Sequence, residues 1–483
     1  MADFTSHVSG SWRAVARDVA GTYPCAAVYL FQHIDQLMCR DANRLLVLAL
    51  RDLPSLGKLF DQWTNGHDIS SVPEDCIMAD GSVLFLSPLL RPGAGLEDIN
   101  MLDRDLDPNL VLFGRQLCYM HKRLSIDTDD EFKIRSAKEF WDIDSKLREP
   151  RSRTSPLNVD VHSGSFSDGL CEESSRTLTS LVQSMDRFSG WLTPPRELDI
   201  LDLVPKHGPG AVSNAKTGDD KYSFPDWSES LSDLFPYELF CEPNEGLGAL
   251  GSESYRSSSR GSAKLIAVAK SFQKPRLIAS EPIEHQYLQQ ALMRWIRSNM
   301  HPIHRLSVDF NSQEPSREAA LEASRDGAVA TVDLSAASDR LSLWVVESYF
   351  RKHPLLLEAL LVTRSAYLRD PITSQEGFLR KFAPMGSAVT FPVQSLVYAT
   401  ACYAALAVSE GVHKKSSAYL LRRWLPRVAK QVRVFGDDII IPSAAVPNLG
   451  LLLQFLELKV NLSKTHYQGF FRESCGMDAY KGH

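Results

Sequence analysis

The chain has 483 residues, 44% of them apolar and 23% charged, which is ordinary for a soluble globular protein and too long for one small core; two or three subdomains are expected. A net charge of −6 excludes a generally basic nucleic-acid binder, so any cationic surface must be local. Eight scattered cysteines without a CxxC pair exclude a zinc knuckle and a disulfide framework and fit a reducing cytosol.

The first twenty residues lack the apolar core of a signal peptide. Asp41 to Leu50 reads as a capped helix start followed by an apolar run, and Phe132 to Leu147 has helical spacing with interleaved charges. Nothing chemical stands out in this region, and the isolated His33, His67 and His121 read as structural. Arg148 to Gly169, rich in Arg, Pro, Ser and Gly, reads as an exposed connection. A helical pattern resumes near Ser174 and ends near Pro194-Pro195. Lys206-His207-Gly208-Pro209-Gly210 either presents backbone amides to a phosphate or is a rigid turn, and on its own the turn is the simpler reading.

Between Glu253 and Glu281 lie Arg256, Arg260, Lys264, Lys270, Lys274 and Arg276 with no acid among them. The first half is Ser/Gly-rich; the second, LIAVAKSFQKPRLIAS, alternates as strand, turn and strand. Such a basic ribbon suits a triphosphate or a nucleic-acid backbone, against the plainer alternative of a solvated loop. His301 and His304 have no cysteine or carboxylate close by, which disfavours a metal pair.

Ala328 to Asp339 follows as a buried strand ending on Asp333, small residues, and then Asp339-Arg340 opening an amphipathic helix. The Met385-Gly386-Ser387 turn lets the backbone approach a ligand, and Ser387 offers a hydroxyl. Ser387 to Val408 is uncharged and long enough to span a bilayer, but Pro392, Gln394, Ser395 and Thr400 within it favour a buried helix. After the basic, amphipathic stretch Lys414–Arg433, QVRVFGDDIII (431–441) reads as a hairpin with Gly436-Asp437-Asp438 at its tip. An isolated Gly-Asp-Asp is most simply a solvated turn. Together with Asp333, however, it supplies three carboxylates from two strands, enough for two Mg²⁺ ions about 3.5–4 Å apart. Asn448 to Leu458 has helical spacing, residues 459–465 return as a strand or loop carrying Lys464, and Cys475 reads as a small buried thiol.

In this order the pieces HGPGAV (207–212), KSFQKPRLIASEP (270–282), VDLSAASDR (332–340), PMGSAVTFPVQS (384–395), VFGDDIII (434–441), NLSKT (461–465) and FRESCG (471–476) resemble viral RNA-dependent RNA polymerases. Among these they are most similar to the replicase catalytic subunit of positive-strand RNA bacteriophages, the leviviruses. The resemblance implies an α+β right-hand polymerase with fingers and palm, an antiparallel palm sheet with flanking helices, and a thumb largely missing. It divides the chain into a mostly helical N-terminal region and fingers (1–200), fingers with a basic triphosphate-binding ribbon (201–318), a palm (319–470) and the start of a thumb or primer-grip hairpin (471–483). Family members continue beyond that point, so a truncated reading frame or a reduced thumb is expected.

The same resemblance assigns roles. Asp333, Asp437 and Asp438, with the Leu334 carbonyl, would ligate two Mg²⁺ ions, with Mn²⁺ able to substitute. Asp339 would sense the ribose 2′-hydroxyl beside Gly386 and Ser387. The asparagine usual after that turn is not evident, and Gln394 or Thr390 would stand in for it. Lys270, Lys274 and Arg276 would hold the triphosphate, Arg256, Arg260 and Lys264 the RNA, and Lys464 would protonate the pyrophosphate leaving group. The implied activity is RNA-directed RNA polymerisation copying a phage genome in the cytoplasm of an infected bacterium. Its partners would be template RNA, ribonucleoside triphosphates, and host elongation factors Tu and Ts with ribosomal protein S1, without a membrane. A narnavirus or mitovirus polymerase shares the Gly-Asp-Asp, but HGPGAV and FRESCG favour the phage family. A reverse transcriptase is disfavoured because Gly436 stands where an aromatic residue is usual. An inactive RNA-binding protein fits poorly with three intact carboxylates. A two-metal nuclease would leave the basic ribbon and the Met-Gly-Ser turn unexplained.

Overall fold

A computed structural model describes residues 2–122, 124, 129–150, 157, 171–192, 194–214, 219–222, 224, 226–241, 256–258, 261–271 and 274–483. The architecture is mixed α+β. In chain order the strands are β1 (Asp226–Ser228), β2 (Arg256–Ser258), β3 (Ser262–Val268) and β4 (Arg276–Ser280). Next come β5 (Val329–Ser335), β6 (Tyr367–Asp370), β7 (Gln375–Phe378) and β8 (Arg433–Phe435). The last are β9 (Asp438–Pro442), β10 (Lys459–Val460), β11 (Phe471–Ser474) and β12 (Met477–Tyr480).

Two four-stranded sheets dominate, one ordered β10-β5-β9-β8 and the other β4-β3-β6-β7. The first is antiparallel throughout, and the β-branched residues at the centres of β5 and β9 are buried on both faces. Its register sets Val332 against Ile439 and Asp333 against Asp438. In the second sheet β3 and β4 form the antiparallel pair that the basic ribbon's alternation implied.

The uncharged stretch after Ser387 forms the helix Thr390–Ser409, buried on nearly its whole circumference. It is the one described helix long and apolar enough to cross a membrane, and it is spent inside the largest core instead. Glu172–Trp191 and Val446–Phe455 pack into that same core. A second core gathers N-terminal side chains such as Trp12, Leu30, Leu53, Phe60 and Leu117, and it also takes Phe471 and Tyr480 from the far end of the chain. The helix start at Asp41 is capped as expected, with its carboxylate accepting the Asn43 and Arg44 N–H groups at 3.0 Å each.

One expectation is corrected. Asp339 does not open the amphipathic helix. It sits in a separate turn, Ala337–Arg340, entered through Ala336 with φ +51°, and Leu341 is extended before the helix Leu343–Phe350 begins. Most of the connection expected at 148–169 lies outside the described residues, as do Arg260 and much of the Ser/Gly-rich stretch before β3.

Candidate active site

The hairpin β8–β9 turns through Gly436 and Asp437 between the paired Phe435 and Asp438. Gly436 takes φ +65°, which supplies the positive backbone angle that tight hairpin turns need. Its N–H donates to Ser395 Oγ at 3.1 Å, tying the turn to the long buried helix. Asp437 is exposed at the tip, while Asp438 and Asp333 are half-buried across the strand pair.

Loop residues just after β10 hold Asp333 in place. Asn461 donates its N–H to the Asp333 carbonyl (2.8 Å) and its Nδ2 to Asp333 Oδ2 (2.7 Å), and Thr465 Oγ1 accepts the Asp333 N–H at 3.3 Å. Lys464 Nζ lies 3.8 Å from Asp333 Oδ1 and 3.4 Å from Glu473 Oε1. Burial works against the Lys464 charge, but Glu473 and Asp333 outweigh it and hold the ammonium above the ordinary lysine range. Burial also pushes Asp333 up to about 6, with Lys464 and Asn461 opposing. Asp438 is likewise pushed up to about 6 by burial and by Asp437, against a 3.5 Å hydrogen bond from Cys475 Sγ. Two desolvated carboxylates facing each other form a site short of positive charge.

Among the described residues no three His, Cys, Asp or Glu side chains are gathered closely enough to cage a metal unaided. The donors on hand are all oxygen, which suits Mg²⁺, an ion that keeps several waters and leans on one or two carboxylates plus substrate phosphates. The chemistry of the donor set therefore fits. His304 is fully buried against Tyr403 and Tyr349.

The cations of the ribbon separate. Much of Lys270 meets solvent, yet its ammonium is crowded: partial desolvation, then Arg276 and Lys464, push its pKa down, with Asp437 and Asp333 opposing. Lys270 and Lys464 thus share the electrostatic field of the carboxylates, with Arg276 beside Lys270. Lys274 instead pairs with Glu139 at 3.2 Å on the helix Asp130–Lys146. Lys264 is exposed on β3, and Arg256 lies on β2. Leu334 pairs with Val460 beside Asp333.

The Met-Gly-Ser turn differs from expectation in what it approaches. Gly386 has φ +121°, and a Cβ there would run into the Ala279 carbonyl of β4, while the Met385 carbonyl accepts the Ala279 N–H at 2.7 Å. The glycine serves a backbone-to-backbone approach between the turn and β4. Among the described residues Ser387 Oγ is buried without a hydrogen-bond partner, as is Gln394 Oε1. Thr390 Oγ1 donates to the carbonyls of Ala383 and Pro384, which occupies its hydrogen. Asp339 pairs with Lys381, which sequence reading passed over.

Sequence reading also missed the N-terminal contribution. Asn65 Nδ2 lies 2.7 Å from His466 Nδ1, and Asn65 Oδ1 accepts the Phe471 N–H at 3.0 Å. His466 in turn exchanges both backbone hydrogen bonds with Thr331 of β5. Arg115 pairs with Asp61 and, at 2.7 Å, with Asp478, while its guanidinium lies 4.5 Å from the Phe471 ring centroid. Lys464 and Glu473 also line a cavity of about 860 Å³ shared with Lys58, Arg115 and Lys122.

Comparison with known proteins gives a consistent result. The family described as RNA replicase, beta-chain, matches residues 239–483, half of the chain. The chain is 34% identical over 219 residues to the RNA-directed RNA polymerase subunit beta of Escherichia virus Qbeta, covering 45% of this chain and 33% of that protein. It is 30% identical over 230 residues to the RNA-directed RNA polymerase beta chain of Enterobacteria phage fr, covering 48% and 38%. The match therefore spans between a third and two-fifths of these relatives' length. The in situ structure of the BmCPV RNA-dependent RNA polymerase at elongation state overlaps 80% of this chain and 34% of its own, at a TM-score of 0.40 and 10% identity. So loose an overlap carries no argument.

Proposed function

The chain belongs to the RNA replicase beta-chain family, and from that premise we propose that it is the catalytic part of an RNA-directed RNA polymerase acting by two-metal nucleotidyl transfer. The observation that carries this reading is the register of β5 on β9, which sets Asp333 opposite Asp438 with Asp437 at the adjoining tip and Lys464 and Lys270 within electrostatic reach. In this reading the sheet β10-β5-β9-β8 is the palm and the strands β3 and β4 belong to the fingers.

Asp333, Asp437, Asp438 and the Leu334 carbonyl would hold two Mg²⁺ ions, or Mn²⁺ in their place, which when bound would acidify the primer 3′-hydroxyl and neutralise charge on the phosphoryl oxygens. Asn461 keeps Asp333 aimed, by gripping both its carbonyl and one carboxylate oxygen. Lys270 and Arg276 offset the β- and γ-phosphates. Lys464, kept charged by Glu473 and Asp333, carries a proton at Nζ for the departing pyrophosphate. Asp339 accepts a hydrogen bond from the ribose 2′-hydroxyl. The relatives are named as beta subunits or beta chains, and by extension this chain works with further subunits in a bacterial cytoplasm, host elongation factors Tu and Ts and protein S1 being the candidates.

The test is labelled ribonucleotide incorporation on a self-priming RNA hairpin with Mg²⁺, with and without bacterial extract. Template-dependent incorporation supports the reading, and dependence on extract identifies a need for host subunits. No incorporation under either condition, from a folded chain, counts against it.

A further inference from the structure

Lys381 has no solvent exposure at all. Its Nζ lies 3.2 Å from Asp339 Oδ1, 3.9 Å from Asp144 Oδ1 and 3.3 Å from the centroid of the Phe140 ring. The backbone around it is clipped to the segment that follows Asp339: the Phe382 N–H donates to the Leu341 carbonyl at 2.7 Å, and the Leu343 N–H to the Arg380 carbonyl at 2.8 Å. Asp144 fastens the same segment from behind, accepting the Arg380 N–H on one oxygen (3.0 Å) and the Lys381 N–H on the other (3.1 Å). Arg364 adds hydrogen bonds to the carbonyls of Leu379, Lys381 and Phe382.

Burying an ammonium is costly, and an apolar side chain of similar length would fill the space at lower cost. What the lysine adds is direction. Its ammonium engages only one oxygen of Asp339, whose side chain remains 22% exposed. No other side-chain partner of Asp339 is found among the described residues. The Tyr398 hydroxyl, donating to the Ala337 carbonyl at 3.0 Å, steadies the turn that carries it. Asp339 thus has one oxygen held from the protein side, while its side chain stays partly open to solvent.

We propose that Lys381 is a positioning residue for sugar recognition: it fixes the rotamer of Asp339 through one carboxylate oxygen and leaves the other to accept the 2′-hydroxyl of an incoming ribonucleotide. Asp144 and Phe140, on the N-terminal helix Asp130–Lys146, complete the socket, so a segment far from the carboxylate hairpin in sequence tunes which nucleotides are accepted. The assignment rests on the polymerase reading above and adds to it the residue that makes its sugar selection possible.

The test compares ATP with 2′-deoxyATP. Dissociation constants are measured on the full chain with a chain-terminated RNA hairpin, so that no turnover is needed, and kcat/KM for both nucleotides is measured on an extendable hairpin. In wild type ATP binds more tightly. Lys381→Met lowers that preference about tenfold, the worth of one hydrogen bond to a charged group, by weakening ATP while leaving 2′-deoxyATP unchanged, and Lys381→Arg keeps most of it. Should Lys381→Met fail to fold, Asp144→Asn, which loosens the socket while keeping its volume, lowers the preference in the same direction. An unchanged ratio in a folded variant, or equal weakening of both nucleotides, overturns the assignment. Absence of incorporation by wild type strikes the polymerase reading separately, because the binding ratio does not depend on turnover.

Discussion

Asn461 grips Asp333 at two points, its N–H on the Asp333 carbonyl at 2.8 Å and its Nδ2 on Asp333 Oδ2 at 2.7 Å. With Lys464 near the other oxygen, the carboxylate has little freedom to rotate. Asn461→Ala should therefore slow incorporation about tenfold while lowering stability in urea by only about 1–2 kcal/mol, as expected for one lost hydrogen bond to a charged group. Wild-type incorporation kinetics in this variant would show that the grip does not matter for chemistry.

The folded-state values of Asp333 and Asp438 are pushed up to about 6, by burial first and by neighbouring acids second. Both lie above the unfolded carboxylate value of about 3.9. Their contribution to stability is therefore fully present below pH about 4 and is lost as pH rises through about 6. A divalent cation needs the deprotonated forms and offsets that loss. Mg²⁺ should raise the unfolding temperature clearly at pH 8 and much less at pH 5. An equal rise at both values would place the stabilising ion elsewhere.

Gly386 and its neighbour Ser387 should behave oppositely. Gly386→Ala combines φ +121° with a collision against the Ala279 carbonyl, so it should destabilise the fold by about 3 kcal/mol or more. Ser387→Ala removes a hydroxyl that has no hydrogen-bond partner among the described residues, so the melting temperature should hardly move, and any effect should be confined to nucleotide binding. Thermal melts of the two variants, followed by nucleotide titration of the second, check both halves.

Cys475 is buried, and burial, reinforced by Asp438, pushes its thiol up to about 12. Iodoacetamide at pH 8 should label the exposed Cys25, Cys39 and Cys171 well before it. Cys475→Ala should keep most of the incorporation activity. Mass spectrometry of the alkylated protein and an activity assay of the variant decide the point, and early labelling of Cys475 with loss of activity would contradict a buried, inert thiol.

What the sequence revealed was local. β-Branched and aromatic runs around Gly-Asp-Asp gave the hairpin, the β-branched run before Asp333 gave its strand, and internal polar residues in Ser387–Val408 gave a core helix. The direct opposition of Asp333 and Asp438 needed the register of two strands separated by a hundred residues, which no local pattern encodes. Lys381 was hidden because the adjacent basic pair Arg380-Lys381 looks like exposed charge, and only tertiary burial reveals Lys381 as an internal ligand of Asp339. Asn65 and His466, four hundred residues apart, meet because the N-terminal core closes over the C-terminal hairpin, and amphipathic spacing carries no signal for that. The placement of Asp339 was misread for a different reason: Ala336 takes φ +51°, an angle that alanine's helix propensity argues against.

The central claim is that the opposed acids on β5 and β9, with the acid at the hairpin tip, form one nucleotidyl-transfer site. Single-turnover incorporation with Mg²⁺ should be compared for wild type, Asp333→Asn, Asp437→Asn and Asp438→Asn, each verified as folded by circular dichroism. Wild type should incorporate nucleotide, and each variant should lose at least about a thousandfold, in keeping with the several kcal/mol that charge stabilisation at such a site supplies. Wild-type rates in any of the three would contradict that claim.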